Sequence, residues 1–306
     1  MIREAHAQIP ADLDGERLDR AMAALLGISR GQARRVLDLG GAYLAGQRLR
    51  TASRPVKAGE RVQAFWADPA EPEVPPLSES AVLLRRKGLL AVDKPAGVHC
   101  QAARHTLVGT LPDLCQQLLG LRTPPEPMHR LDRDCSGVVV LAEHAQARSG
   151  LGQLMARGRA RKRYLAVVAG EPAEDAMRIA APIAEDSAGP AGRRCVAEGG
   201  QEARTLLRVL VRGAGASLVE LEPLTGRTHQ LRVHCAHMGL SMLGDPWYAP
   251  PEVRGRAPRL CLHAWRLELP RGAPGTPCEV EAPLPEAFMT VMAACGIAGS
   301  WGGGAG

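Results

Sequence analysis

Aromatic residues are scarce in this chain of 306 residues, of which Phe, Trp and Tyr together make up 3%. This scarcity argues against a stacking platform for single-stranded nucleic acid, because such a platform stacks successive bases on aromatic rings. Long apolar runs are lacking too, and none approaches the length that a helix needs to cross a bilayer. The chain also begins without an apolar signal segment. These features predict a cytoplasmic protein with no membrane association.

Several motifs of cofactor chemistry are missing from the sequence: Cys-x-x-Cys, His-Glu-x-x-His, a Walker-type loop, and Gly-x-Gly-x-x-Gly after a strand. We therefore expect neither a nucleotide cofactor nor a metal. His229, His234 and His237 raise the question of a metal, but their spacings of five and three residues do not share one helix face. The eight cysteines are scattered, and we expect them to be reduced thiols.

The charge balance is basic, with a formal net charge of +6 and a pI of about 9.1. A basic excess fits a polyanionic partner, because Lys and Arg near phosphates release counterions. A soluble protein with a surplus of solvated arginines fits the same numbers.

The chain divides at an acidic stretch, residues 71–80, which contains three prolines and favours an extended backbone. The last residues are mostly Gly and Ala and bury too little surface to become ordered. We therefore predict an N-terminal domain at residues 1–66, a linker at 67–80, a larger domain at 81–295 and a disordered tail at 296–306.

Two short amphipathic helices are predicted in the N-terminal domain, followed by strands at 42–44, 47–50 and 61–66. The first helix spans residues 17–26 and ends at Gly27, and Ser29 is a cap for the second. Arg30 and Arg34 lie one helical turn apart and point the same way. They belong to a candidate basic face, for which a solvated surface is the alternative, together with Arg35, Arg48, Arg50 and Arg54.

The larger domain alternates short apolar runs with Gly and Pro turns, and only residues 107–119, 145–157 and 228–238 read as helices. This pattern predicts an α+β fold: a mixed, largely antiparallel sheet with flanking helices. The small domain before it would be of α/β type.

A charged turn feeds an apolar strand at residues 128–141, MHRLDRDCSGVVVL. Such a junction places reactive groups at the edge of a core, where a scaffold can hold them. Arginines near Asp132 would favour its ionised form, which a nucleophile or base needs. Composition alone favours a plainer interpretation, a solvated turn with local ion pairs.

A second polar segment covers Glu222 to His234, with a turn at Thr225 and Gly226. A helix is predicted to open near Thr228, which would cap it. Arg227 would then stand at the helix N-terminus with Arg232 one turn inside, an arrangement suited to clamping a phosphate or a carboxylate.

The order of these segments resembles the RluA family of pseudouridine synthases. Residues 85–290 carry its motifs in sequence: DKPAG at 93–97, HRLD at 129–132, CSG at 135–137, KRY at 162–164, TGRTHQLRVH at 225–234, GDPWY at 244–248 and LHA at 262–264. About fifty residues of the N-terminal domain resemble the small RNA-binding domain first described in ribosomal protein S4.

The resemblance implies isomerisation of uridine in RNA without metal or cofactor, on a uridine flipped out of its stack. Asp132 would be the catalytic aspartate, Tyr164 would stack on the target base, and Arg227 would pair with Asp132. Substrate contacts are implied for Arg130, His129, Leu231, Arg232 and His263. RNA contacts in the N-terminal domain are expected at Arg30, Arg34, Arg35 and Arg48.

Several alternatives stay open at this point. Ribosomal RNA of the large subunit is the expected substrate, with transfer RNA as the alternative, and we expect a monomer. A non-catalytic RNA-binding or ribosome assembly factor could share the scaffold, and a metal-dependent hydrolase would rest on the histidine cluster alone. Whether Asp132 attacks the sugar or removes a ribose proton is not decided by the sequence.

Overall fold

The computed structural model describes residues 2–67, 76–156, 160–190, 192–269 and 278–297. The chain forms two compact units, the first from residues 1–77 and 99–120 and the second from residues 78–98 and 121–306. Residues 99–120, which the sequence places in the larger domain, thus belong to the first unit. Within that unit the amide of Leu107 donates to the carbonyl of Leu39 at 2.6 Å. Residues 68–75 of the predicted linker lie outside the described residues.

The first unit contains a four-stranded antiparallel sheet in the order β1-β4-β2-β3. Its elements are α1 Leu18–Leu26, α2 Arg30–Leu39, α3 Leu111–Leu119, β1 Ile2–Gln8, β2 Ala42–Leu44, β3 Gln47–Leu49 and β4 Arg61–Ala67. The two predicted N-terminal helices are confirmed to within one residue. The sequence does not predict β1, because most of its side chains are exposed and give no apolar pattern.

The ends of the first two helices follow local rules. Gly27 adopts the left-handed conformation (φ 66°) and stops α1, because glycine has no Cβ that opposes this geometry. Ser29 caps α2, since its hydroxyl accepts from the amide of Gln32 at 3.1 Å. The buried faces of both helices then pack on the sheet through an apolar cluster: Leu18, Ala21, Met22, Ala33, Val36, Leu37, Ala42, Leu44, Val62 and Ala64.

The second unit is built on one large mixed sheet. The strands of this unit are β5 Val82–Arg86, β6 Leu89–Lys94, β7 Glu126–Pro127, β8 Ser136–Ala142, β9 Arg161–Ala169, β10 Ala176–Ala180, β11 Ile183–Glu185, β12 Arg194–Val196, β13 Arg204–Gly213, β14 Ala216–Pro223, β15 Leu262–Leu269 and β16 Cys278–Glu281. Its helices are α4 Ala145–Ala156, α5 Gln230–His237, α6 Pro251–Arg254 and α7 Glu286–Ala294.

Among the residues that the structure describes, the large sheet has ten strands, with the main path β10-β13-β14-β9-β15-β8-β6-β5. Strands β15 and β8 run parallel, whereas the other pairs among the described residues are antiparallel. The α+β fold with a mixed, largely antiparallel sheet is therefore confirmed. Strands β11 and β12 form a separate hairpin.

Helices pack on this sheet through two apolar clusters. Ala147 and Leu151 of α4 contact strand residues such as Val138 and Val140. Phe288 of α7 belongs to a second apolar cluster, and Ile297 is the last residue of the chain in that cluster. Ile297 is fully buried, so the core extends one residue past Gly296, where the tail is predicted to begin. Residues 298–306 of that tail lie outside the described residues.

Candidate active site

Asp132 lies in a turn that leads directly into β8, of which every residue is buried. The amide of Cys135 closes the turn by donating to the carbonyl of Asp132 at 3.2 Å. Before the turn, the amide of Val140 donates to Nε2 of His129 at 3.1 Å. Burial, helped by the Lys162 ammonium, lowers the pKa of His129 to about 3, so its neutral ring can accept this bond. Asp132 is therefore held on a rigid scaffold.

Lys94 anchors the same turn from β6. It is fully buried, and its ammonium donates to the carbonyls of Pro95, Val98 and Arg133 at 2.8, 2.9 and 2.9 Å. A buried charge requires such compensating bonds. Because Arg133 follows Asp132 in the chain, the bond to its carbonyl fixes the backbone next to the carboxylate.

Arg232, in the first turn of α5, joins Asp132 to a second carboxylate. Its NH1 donates to Oδ2 of Asp132 at 3.2 Å. Its Nε and NH2 donate to the two oxygens of Asp245 at 2.8 and 2.7 Å. Burial lowers the pKa of Arg232, but the bonds to the carboxylates outweigh it and raise the pKa above its usual value. The guanidinium is therefore a permanent charge that holds Asp132 in place.

Asp245 also shapes the turn after it. Its Oδ1 accepts from the amides of Trp247 and Tyr248 at 2.9 and 3.1 Å. This turn brings the Tyr248 hydroxyl to Nδ1 of His229, at 2.7 Å. The same hydroxyl accepts from the amide of Arg194 in β12 at 2.9 Å. One buried carboxylate thus organises both an arginine and a tyrosine around the site.

His229 precedes α5 in the left-handed conformation (φ 57°, ψ 16°). The helix therefore starts at Gln230 with His229 at its N-cap, and the prediction that Thr228 caps it is wrong. Nε2 of His229 lies 3.8 Å from Oδ2 of Asp132. Burial lowers the pKa of His229, although the nearby Asp132 carboxylate opposes this shift.

Asp132, His229 and Arg232 line a cavity of about 500 Å³, a size suited to a small organic group such as a nucleoside. Tyr164, on β9, is buried and lies in its wall. Seven of the predicted site residues line this cavity: His129, Arg130, Asp132, Tyr164, Arg227, Leu231 and Arg232.

The prediction that Arg227 pairs with Asp132 is wrong. Arg227 is exposed, and its Nε donates to the carbonyl of Glu202 at 2.9 Å. The amide of Arg227 donates to Oε1 of Gln230 at 3.0 Å, which keeps Arg227 in a turn outside the helix. Arg232 makes the bond to Asp132 instead, because it lies on the buried part of α5.

His263 is not a cavity residue and does not fit the predicted substrate contact. It is fully buried, with Nδ1 at 2.8 Å from Oγ of Ser136 and Nε2 at 3.3 Å from the carbonyl of Ala282. Burial lowers its pKa to about 4. His263 therefore ties β15 to the start of β8, behind the Asp132 turn.

Two of the predicted RNA-binding arginines, Arg30 and Arg34, share a buried partner in the first unit. Each donates from Nε to Oδ2 of Asp19 at 3.0 Å, and Arg17 donates to Oδ1 at 3.0 Å. Burial raises the pKa of Asp19, but the three guanidinium bonds hold it below its usual range. The three arginines remain partly exposed and carry a net positive charge beyond that of Asp19.

The other two predicted RNA-binding arginines differ in their surroundings. Arg35 is exposed. Arg48 is half-buried and donates to the Tyr43 hydroxyl and, at 3.0 Å, to the carbonyl of Ala103. Arg48 thus has a structural role within the first unit in addition to any contact with RNA.

Comparison with known proteins identifies the family. A family model described as RNA pseudouridylate synthase matches residues 88–237, and an S4 domain model matches residues 16–62. An uncharacterized RNA pseudouridine synthase of Chloroflexus aurantiacus is 38% identical, with 93% of this chain and 91% of the relative covered. The chain belongs to the RNA pseudouridine synthase family. It is accordingly an enzyme that isomerises uridine in RNA, with an S4 domain that binds RNA.

Further members of the family support this assignment. Ribosomal large subunit pseudouridine synthase D of Nitrosomonas europaea is 30% identical over 94% of this chain and 86% of its own. The solved structure of human RNA Pseudouridylate Synthase Domain Containing 1 is 30% identical, with a TM-score of 0.60, over 69% of this chain and 87% of that chain. The resemblance to the RluA family is therefore confirmed.

Sequence reasoning missed four residues of this pseudouridine synthase site: Lys94, His229, Asp245 and Tyr248. All four lie inside the quoted motifs, so their positions were visible while their contacts were not. Within the described ranges, no three His, Cys, Asp or Glu side chains come together in a way that could hold a metal ion. No helix in those ranges is long and apolar enough to span a membrane.

Proposed function

We propose that this enzyme converts specific uridines of large-subunit ribosomal RNA to pseudouridine, with Asp132 as the catalytic aspartate. One observation carries the residue assignment: the Asp132 carboxylate, held by Arg232 at 3.2 Å, lines the same cavity as Tyr164. The substrate assignment rests on relatives from three bacteria that are named ribosomal large subunit pseudouridine synthase D.

The reaction is an isomerisation that needs no co-reactant. The bond from N1 of uracil to C1′ of the ribose breaks, and a bond from C5 to C1′ forms. The proton leaves C5, and N1 gains one, so atoms and charge balance. Asp132 would act on the ribose as nucleophile or as base, and Tyr164 would stack on the base.

The target uridine must leave its stack to reach a carboxylate inside a cavity. We propose that Arg130, exposed at the cavity rim, enters the RNA where the uridine leaves. Arg227 is also exposed at this rim and would contact an RNA phosphate, which replaces the catalytic role that the sequence suggests. His129 and Leu231 would contact the flipped nucleotide.

The S4 domain would contribute to the binding of the RNA substrate. Arg30 and Arg34, oriented by Asp19, together with Arg35 and Arg48, would contact phosphates, which recognise RNA shape more than sequence. We further propose that the enzyme acts as a monomer in the cytoplasm.

The test uses the full chain and RNA from cells that lack its gene. We expect purified enzyme to form pseudouridine at discrete positions of large-subunit ribosomal RNA. Asp132→Asn should form none while it still binds the RNA, because Asn keeps the size of the side chain but not its charge.

Asp134→Asn is the matched control, since Asp134 lies in the same turn, is 35% exposed and is 4.0 Å from Arg133. It should retain activity. Pseudouridine formed by Asp132→Asn would refute the assignment of the catalytic residue. Modification of transfer RNA alone would refute the substrate, and no modification by the wild type would favour a binding protein.

A further inference from the structure

The contact between His229 and Tyr248 determines which ring nitrogen of His229 carries a proton. The Tyr248 hydroxyl already accepts from the amide of Arg194 at 2.9 Å. Within the described part of the chain, Nδ1 of His229, at 2.7 Å, is the acceptor available for the hydroxyl proton. Tyr248 is half-buried, and a hydroxyl proton that is shielded from water needs an acceptor in the protein. Nδ1 therefore accepts, and in a neutral ring Nε2 carries the hydrogen.

Nε2 of His229 is directed at the catalytic carboxylate. It lies 3.8 Å from Oδ2 of Asp132, and the same oxygen accepts from NH1 of Arg232 at 3.2 Å. Two donor groups from the start of α5 thus lie close to the same oxygen of Asp132. The distance from Nε2 exceeds hydrogen-bond length, but catalytic hydrogen bonds often tighten only in the complex with substrate.

We propose that His229, held as its Nε2–H tautomer by Tyr248, is a positioning residue that orients the Asp132 carboxylate so that Oδ1 faces the uridine. The proposal rests on the assignment of Asp132 as the catalytic aspartate. Among the described residues no donor bonds Oδ1, so this oxygen is available to act on the ribose.

The backbone and the surroundings of His229 support this role. A residue with a side chain adopts the left-handed conformation at a cost, and such strain is concentrated at functional sites. The imidazole packs edge-on against Trp247 and Tyr248, with ring centroids 5.0 and 5.6 Å away. The charged groups that act on it are Asp132, Arg232, Asp245 and Arg194. Burial, the largest influence, lowers the pKa of His229 and keeps the ring neutral.

Two substitutions at position 229 separate this role from a structural one. Gln places its amide nitrogen near the position of Nε2 and retains a donor toward Asp132. Asn places its amide near Nδ1, which retains a contact with Tyr248 and loses the donor. Asn also tolerates the left-handed conformation better than Gln does. A purely structural role therefore predicts that His229→Asn is at least as active as His229→Gln.

We expect the opposite order in the full-length enzyme. A misplaced catalytic group can cost about 10²-fold, so kcat of His229→Asn should fall by about this factor with little change in KM. His229→Gln should keep at least about tenfold more kcat than His229→Asn. Melting temperatures and RNA binding confirm that both variants are folded. A kcat for His229→Gln that is equal to or below that of His229→Asn overturns the proposal.

The tautomer is measured on the wild type, so the proposal stays testable even if a variant does not fold. The ¹⁵N chemical shifts of His229 should show a protonated Nε2 and an unprotonated Nδ1. A protonated Nδ1 overturns the proposal. The Asp132→Asn experiment is independent: if that variant is active, the assignment of Asp132 fails, whatever the order of the His229 variants.

Discussion

The Asp245–Arg232 pair gives a prediction about stability whose size follows from burial. The side chains of Asp245 and Arg232 are 1% and 4% exposed, and two hydrogen bonds of 2.8 and 2.7 Å join them. In Asp245→Asn the side chain keeps its volume, and its remaining oxygen can still accept from the amides of Trp247 and Tyr248. The amide NH₂ then faces Nε of Arg232, which sets one donor against another and leaves the guanidinium without a charged partner on this side.

Removing one partner of a buried ion pair costs about 3–5 kcal/mol, because the other charge loses its compensation. We expect the lower part of this range, about 3–4 kcal/mol, because Arg232 keeps its hydrogen bond to Asp132 at 3.2 Å. This is a large part of the roughly 5–15 kcal/mol that stabilises a typical domain. The pair Asp175–Arg212 is the control. Its N–O distance is also 2.7 Å, but Asp175 is 85% exposed. Asp175→Asn should therefore cost less than about 1 kcal/mol.

Amide hydrogen exchange measures both variants in the same unit of the protein. The slowest amides of β8 and β14 report the opening of the large sheet. Their protection should fall by a factor of about 10²–10³ in Asp245→Asn, since 1.4 kcal/mol corresponds to a factor of ten. In Asp175→Asn it should change by less than about fivefold. Similar losses in the two variants would show that burial does not determine the strength of these pairs.

Two further predictions concern other parts of the molecule. Arg30→Gln and Arg34→Gln should each weaken RNA binding and reduce the slope of log affinity against log salt concentration by about 1. Arg148 forms an exposed ion pair with Glu126, and the control substitution Arg148→Gln should leave the slope unchanged. An unchanged slope in the first two would argue against phosphate contacts. The pKa of His263 is lowered from 6.5 in the unfolded chain to about 4 in the folded protein. Between pH 6.5 and pH 4 the unfolded chain therefore binds more protons. The contribution of this group to stability is present above pH 6.5 and is lost as the pH falls toward 4. Urea unfolding measures the decrease in the free energy of unfolding between pH 7 and pH 5. This decrease should be about 2 kcal/mol smaller in His263→Asn than in the wild type, and an identical pH dependence in both proteins would contradict this.

The elements of the fold that local chemistry determines were predictable from the sequence. Gly27 and Ser29 mark a helix end and a helix start by their own backbone and side-chain preferences. The apolar run that ends at Leu141 predicts a buried strand, because a short run of β-branched residues is typical of a strand that is covered on both faces. The association of residues 99–120 with the first unit was not predictable, since it depends on contacts such as Leu107 with Leu39 that are distant in the chain.

The pairing of Asp132 shows where prediction of the site stops. The family resemblance implies Arg227 as its partner and Arg232 as a substrate contact, and a helix that opened at Thr228 would place Arg227 at its N-terminus. Thr is a good cap, whereas a left-handed His is unfavourable, so local preferences predict the wrong start. Contacts from distant segments override these preferences.

The left-handed His229 shows what these distant contacts achieve. The Tyr248 hydroxyl holds its imidazole at 2.7 Å, while Asp245, from the turn that carries Tyr248, binds Arg232 with two hydrogen bonds. The helix consequently begins two residues after Thr228, and Arg232 reaches Asp132. One turn, GDPWY at 244–248, therefore positions both His229 and Arg232 beside the Asp132 carboxylate. A change in this turn should act on catalysis through Asp132, although within the described residues the side chains that bond or pair with Asp132 are those of Arg232 and His229.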